Sequence, residues 1–175
     1  FALRGVLEPA PGSIFTLSAG RQRFTDPTSI LLNEPGDGID AGFAMSGFDM
    51  RLAGAYTGLV FRENNELFLS AADQSDFADE NLLLSPPRLL AAGSVTATEL
   101  FFYQSPYLSV LSQFDLRPDT ELNEGEGRVN TQYWGAGIGG PLGPTLFYDA
   151  FFYFNTGTTL TDVNGGKVTF EESSI

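Results

Sequence analysis

The sequence predicts an all-β chain, an antiparallel up-and-down sheet of about eight strands of the kind that closes into a transmembrane barrel. Three observations carry this. The dominant hydrophobic period is two, the period of a strand. Short and long connections alternate along the chain, as they do where tight turns take turns with extended loops. Although 42 % of the residues are hydrophobic, no apolar run approaches the roughly 18 residues that a membrane helix needs.

Strands are expected at about 1–7, 14–23, 38–45, 48–61, 93–102, 107–117, 128–139 and 145–154. The clearest pair spans 38–61. Ile39, Ala41, Phe43 and Met45 share one face against Asp40, Gly42, Ala44 and Ser46. After Ser46-Gly47, read as a two-residue hairpin turn, Phe48, Met50, Leu52, Gly54 and Tyr56 alternate with Asp49, Arg51, Ala53, Ala55 and Thr57. Such a turn sets Met45 opposite Phe48, so the apolar faces of the two strands join, and a slip of one residue would break the match. In the strand at 14–23, Phe15, Leu17 and Ala19 oppose Thr16, Ser18 and Gly20. Arg21 then falls on the apolar face, which implies either a bulge at Gly20 or a head group that reaches out from near the strand end. In the strand at 107–117, Leu108, Val110, Phe114 and Leu116 oppose Ser109, Gln113, Asp115 and Arg117. The one expected helical turn lies within 76–84.

The connections at 8–13, 46–47, 103–106 and 140–144 are short, whereas those at 24–37, 62–92, 118–127 and from 155 onward are long. The long set holds most of the 22 acidic residues, as solvated loops do in general and as an acidic outer rim would.

Composition excludes several functions. With 9 Lys and Arg against 22 Asp and Glu, the net charge is −13, which offers no basic footprint for nucleic acid. The chain has no Cys and no His. Disulfides, thiolate metal sites and nucleophile–His catalysis therefore fall away, and no enzyme activity is expected. Residue type alone leaves a carboxylate pair for glycoside hydrolysis available. The run Gly135-Ala136-Gly137-Ile138-Gly139-Gly140 closes a strand ahead of Pro141 and opens no helix, so it is not a nucleotide loop.

Candidate functional residues lie on the polar strand faces. Arg4, Asp40, Asp49, Arg51, Asp115 and Arg117 would face a lumen, either as a charged constriction that selects solutes by sign and size or as a ladder of cross-strand ion pairs. Asp73, Asp76, Asp79 and Glu80 make the longest loop rich in oxygen. These oxygens make them weak candidates for a divalent cation, but their spacing matches no EF-hand and solvated loop charge is the favoured reading, so no metal and no cofactor is expected. Phe101, Phe102, Tyr103, Tyr107, Tyr133, Trp134, Phe147, Tyr148 and Phe151 to Phe154 crowd near strand ends, as in an interfacial girdle or a sandwich core. Phe151 to Phe154 place aromatics on both faces, which suits a barrel whose inner face meets a plug, a loop or a partner.

The stretch Ala19-Gly20-Arg21-Gln22-Arg23-Phe24, followed by the polar Thr25-Asp26-Pro27-Thr28 and by Gly36-Asp37-Gly38-Ile39-Asp40, resembles a hairpin of the larger outer-membrane porin-like barrels, sugar and alginate export types among them. The strand-like Asn130-Thr131-Gln132-Tyr133-Trp134-Gly135 and Leu146-Phe147-Tyr148-Asp149-Ala150-Phe151 are similar to strands of that group. The resemblance covers about a quarter of the chain. It implies a bacterial outer-membrane location, lipid and small solutes as partners, further copies or other envelope proteins as neighbours, and a passive or selective pore. The C-terminus lacks the aromatic such barrels usually end on, so 1–175 is expected to be part of a larger barrel, with a single complete eight-stranded barrel domain as the alternative. Two other readings stay open: a soluble all-β binding or assembly module built as a sandwich, and a carbohydrate-active β-protein.

Overall fold

The computed structural model describes residues 2–65, 67, 69–98, 100, 103–118, 127–163 and 166–174, with side chains described outside 160–170. Nine strands form a single antiparallel sheet in sequence order. They are β1 (Ala2–Leu7), β2 (Ile14–Thr25), β3 (Asn33–Met45), β4 (Phe48–Tyr56), β5 (Arg88–Ala97), β6 (Ser105–Asp115), β7 (Gly127–Pro141), β8 (Phe147–Val163) and β9 (Gly166–Ser174). One helix, α1 (Ala71–Ala78), and a 3-10 turn at Arg62–Asn64 lie between β4 and β5. Among the described residues no helix is long and apolar enough to cross a membrane, which says nothing of crossing by strands.

The predicted hairpin forms with the predicted register. Met45 faces Phe48, the pairing runs to Asp37↔Tyr56, and Gly47 supplies the positive φ of 82° that the turn requires. The β2–β3 register is unbroken from Ile14↔Ala44 to Thr25↔Asn33, so no residue is inserted near Gly20. Arg21 stays on the apolar side and reaches Asp37 at 2.7 Å and the Leu59 carbonyl at 2.8 Å.

Four expectations are corrected. The sheet has nine strands, not about eight, because the region from 155 onward continues β8 and adds β9, paired from Asn155↔Ser174 to Val163↔Gly166. Thr156, Thr158 and Thr159 are β-branched and favour a strand without giving the apolar alternation that signals one. β3 and β5 each begin five residues before the expected 38 and 93, and β4 ends at Tyr56, before the expected 61. The connection between β2 and β3 is therefore only 26–32, similar in length to the links at 8–13 and 98–104, so the strict alternation of long and short does not hold. The helical turn lies at Ala71–Ala78, ahead of 76–84, because Ser70 and Asp73 form a reciprocal capping box.

The sheet is strongly curled. Tyr153 on β8 donates to Asp26, which directly follows β2, at 3.0 Å. In a flat sheet six strand spacings would part β8 from β2 by about 29 Å, beyond the reach of two side chains. The concave face carries the core, in which Phe24, Leu32, Ala55, Leu67, Leu90 and Leu111 pack together with Tyr133 against them. Two of these, Leu32 and Leu67, come from the connections that fold inward. Along β7, glycines leave room for inward rings. A Cβ on Gly135 would stand 2.2 Å from the Tyr153 ring, and one on Gly137 would stand 2.3 Å from that of Tyr107.

The convex face is apolar and uncovered. Leu52 (65 % exposed), Leu108 (66 %), Trp134 (54 %) and Phe152 (54 %) stand on it, with Ile39, Met50, Val95 and Ile138 exposed around them. The alternative reading as a sandwich would need a second sheet over this face, and the described residues form one sheet.

Candidate functional site

The concave face holds the polar chemistry, and the segment 57–87 is built to lie on it. Its two ends are pinned together at Thr57. The Thr57 N–H donates to the Arg88 carbonyl at 3.0 Å, its hydroxyl donates to the Pro86 carbonyl at 2.7 Å, and that hydroxyl accepts from the Arg88 N–H at 3.0 Å. Further in, the two limbs bridge at Phe61↔Leu84, and Arg62 N–H donates to the Leu83 carbonyl.

At the tip, α1 presents Asp73 to two arginines. Its carboxylate accepts from the N–H groups of Leu69 (2.8 Å) and Ser70 (2.9 Å), from Arg88 (2.6 Å) and from Arg117 (2.7 Å). Arg88 also reaches Asp115 at 3.3 Å and the Val129 carbonyl at 3.0 Å. Arg117, just past β6, binds Asp115 through Nε at 3.0 Å and Asp76 at 2.8 Å. Arg88, Asp73 and the Asp115 side chain are fully buried. Burial works against the Arg117 charge, yet the hydrogen bond to Asp115 and the charges of Asp115, Asp73 and Asp76 outweigh it and raise its pKa. Ions so deep are tolerated because each is paired and hydrogen-bonded. The network fastens the segment to β5 and β6.

The other inward connection, 26–32, is organised by Asp26. Its carboxylate accepts from the N–H groups of Thr28 (2.9 Å), Leu31 (3.1 Å) and Leu32 (2.8 Å), from the Thr28 hydroxyl and from Tyr153. Burial alone would raise its pKa, but these donors together hold it below the ordinary 3.8. Asp26 thus persists as a buried anion held by neutral donors.

All six residues expected to line a lumen project to the concave side by register or lie at its rim. Asp40 and Arg51 meet as a diagonal pair across β3 and β4, with Arg51 Nε 2.8 Å from Asp40 and its Nη1 3.0 Å from the Thr25 carbonyl. Asp115 and Arg117 meet within the buried network. Arg4, opposite Ser18, and Asp49, opposite Ala44, are exposed and stand apart from both pairs. Of the oxygen-rich loop residues, Asp73 and Asp76 are bound to arginines. Asp79 accepts from the Asn81 N–H and side-chain amide, which lowers its pKa, and Glu80 is exposed. Among the described residues no group of three or more His, Cys, Asp or Glu could hold a metal ion.

Arg88 and Asp26 were not singled out by sequence. Arg88 precedes Leu89-Leu90-Ala91-Ala92, where both faces are apolar because Leu90 turns to the inner core and Leu89 turns outward. Period two vanishes there, as it does in strands that are apolar on both sides. Of the aromatics, Trp134, Phe152 and Phe154 fall on the convex face by register, and Tyr107, Tyr133, Phe151 and Tyr153 fall on the concave face. Phe101 and Phe102 lie outside the described residues.

Comparison with protein-family models, with curated proteins and with solved structures finds no match to this chain.

Proposed function

We propose that this chain is a membrane-spanning wall of a porin-like outer-membrane barrel, whose concave face lines a passage for small solutes and whose segment 57–87 narrows it. The reading assigns the chain no catalysis. The observation that carries it is the convex face, an uncovered apolar surface on strands that, β1 apart, are long enough to cross. Apart from the edge strand β1, the strands are at least 9 residues long, against the about 9–11 that a tilted membrane strand needs. Arg21 with Asp37 on β2–β3, and Gln132 with Thr156 on β7–β8, mark where that face turns polar on the side of the long segment. Trp134 and Phe154 stand next to this boundary, the place of an aromatic girdle. A bilayer accepts strands only when the backbone is paired. Since β1 and β9 run in the same direction, antiparallel closure takes an odd number of further strands, whatever their source.

The test uses Trp134, the single tryptophan of the chain. In vesicles of lipids brominated along their acyl chains, its fluorescence is expected to be quenched and blue-shifted, with little quenching by aqueous iodide. A protein that is monodisperse without detergent, with Trp134 quenched by iodide and indifferent to bromolipid, would overturn the reading and support the soluble binding or assembly module instead.

A further inference from the structure

We propose that the passage lined by the concave face prefers cations to anions; the inference rests on the barrel reading above. A pore wall selects by the sign of the fixed charge left over after internal pairing. On this wall the guanidiniums are consumed. Arg51 is bound to Asp40, and Arg88 and Arg117 are bound within a cluster that contains Asp73, Asp76 and Asp115. The ion pairs there set two guanidiniums against three carboxylates, and Arg62 and Arg128 border the cluster, Arg62 donating to the Asp76 and Asp79 carbonyls and Arg128 to that of Arg117, so the excess negative charge has to come from beyond this spot. Asp26 adds a buried anion whose bonds come from neutral groups.

Beyond these pairs, register turns three exposed carboxylates to the same side: Asp49 opposite Ala44, Asp149 opposite Gly139 and Glu172 opposite Gly157. Arg4 is the exposed basic residue that register places on the concave face among the described side chains. Asp49 and Asp149 lie toward the turn end of the wall, away from the buried network, so the negative charge extends along the passage and is not confined to one spot. The chain's net charge of −13 adds a field of the same sign at both mouths.

The experiment is the reversal potential of the purified protein in planar bilayers under a potassium chloride gradient. The potassium-to-chloride permeability ratio is expected to exceed one by several-fold. Asp49→Asn and Asp149→Asn should each lower it by about a factor of two, the size of one unit charge acting through water at about 7 Å. Glu171→Gln removes the same charge on the convex side, opposite Thr158, and should leave the ratio unchanged. Anion preference, or a ratio that the two Asn variants do not move, overturns the inference and leaves the barrel reading standing. Absence of conductance from protein whose Trp134 is quenched by bromolipid also overturns it, whereas absence of both conductance and quenching overturns the barrel reading itself.

Discussion

Replacing Asp73 with Asn tests whether the buried network is what holds the segment 57–87 on the concave face. The substitution keeps the shape of the side chain and removes its charge. In the wild type one oxygen accepts from Arg117 at 2.7 Å, while the other accepts from Arg88 at 2.6 Å and from the N–H groups of Leu69 and Ser70. An amide must turn its NH2 toward one of these sets of donors, and two guanidiniums lose the anion between them. Removing one partner from a buried ion pair costs about 3–5 kcal/mol. If the cost falls on the docking of the segment, its detached population rises roughly 150- to 5000-fold. Limited trypsin cleavage of the detergent-folded protein after Arg62, a half-buried residue of this segment, reads that population directly when cleavage is slow relative to reclosing. The Asp73→Asn protein is expected to be cleaved there at least a hundredfold faster, a lower bound set by the same about 3 kcal/mol, while Asp49→Asn, exposed and outside the network, leaves the rate alone. Cleavage of the Asp73→Asn protein within about threefold of the wild-type rate, the scatter of ordinary surface changes, would refute the anchoring role of Asp73.

Gly135→Ala should destabilise the folded protein by about 1–3 kcal/mol in urea unfolding, because its Cβ would stand 2.2 Å from the Tyr153 ring and 2.6 Å from Ser109 Oγ; Tyr153→Ala should relieve part of that cost in a double-mutant cycle, and Tyr153→Ala with Ser109→Ala more of it. Gly38→Ala is expected to be worse and without a side-chain rescue, since its Cβ would meet the Gly54 carbonyl oxygen at 2.0 Å and force the β3–β4 backbones apart; its midpoint of unfolding should fall below that of the Gly135→Ala protein. Asp26 has a folded pKa below its ordinary 3.8, so its contribution to the 26–32 connection is fully present above 3.8 and is lost as pH falls through the folded value. Hydrogen exchange at Leu31 and Leu32, corrected for intrinsic rate, should show protection falling across that acid range, and Asp26→Asn should remove the dependence.

The strands that could be read from sequence are those with one apolar and one polar face. The hairpin at Ser46-Gly47 is legible to the residue because Ile39 to Met45 and Phe48 to Tyr56 alternate cleanly, and only one register joins their apolar sides. The pattern fails where the two-face rule fails. At Leu89 to Ala92 the inner face is apolar because it meets the inward connections, so alternation disappears and the start of β5 reads as loop. From Asn155 onward the residues are polar and β-branched, so β8 and β9 offer strand propensity without contrast between faces. Arg21 breaks the rule for another reason: it sits where the convex face gives way to the polar rim, and Asp37, its register partner, follows it there.

The buried network was illegible for a deeper reason. Asp73, Asp76, Arg88 and Arg117 have the composition of any solvated loop, and the bond from Arg117 to Asp73 spans 44 positions. Charge in a loop is normally a sign of exposure, and nothing local marks the exception. The only cue is Ser70 followed by Asp73, a capping box that places a helix where a long polar loop would be expected. A helix whose first-turn carboxylate is spent on its own cap is oriented, and the same carboxylate can then present its remaining lone pairs to two guanidiniums. The site follows from this double use of Asp73: the residue that starts the helix also docks it. Paired charges fix where the segment docks, and its apolar residues Val60, Leu67 and Ala72 are buried with it, so ion pairs and apolar contact together hold it on the concave face. That is the physical sense in which the longest connection of this chain belongs to its inner face and not to its rim.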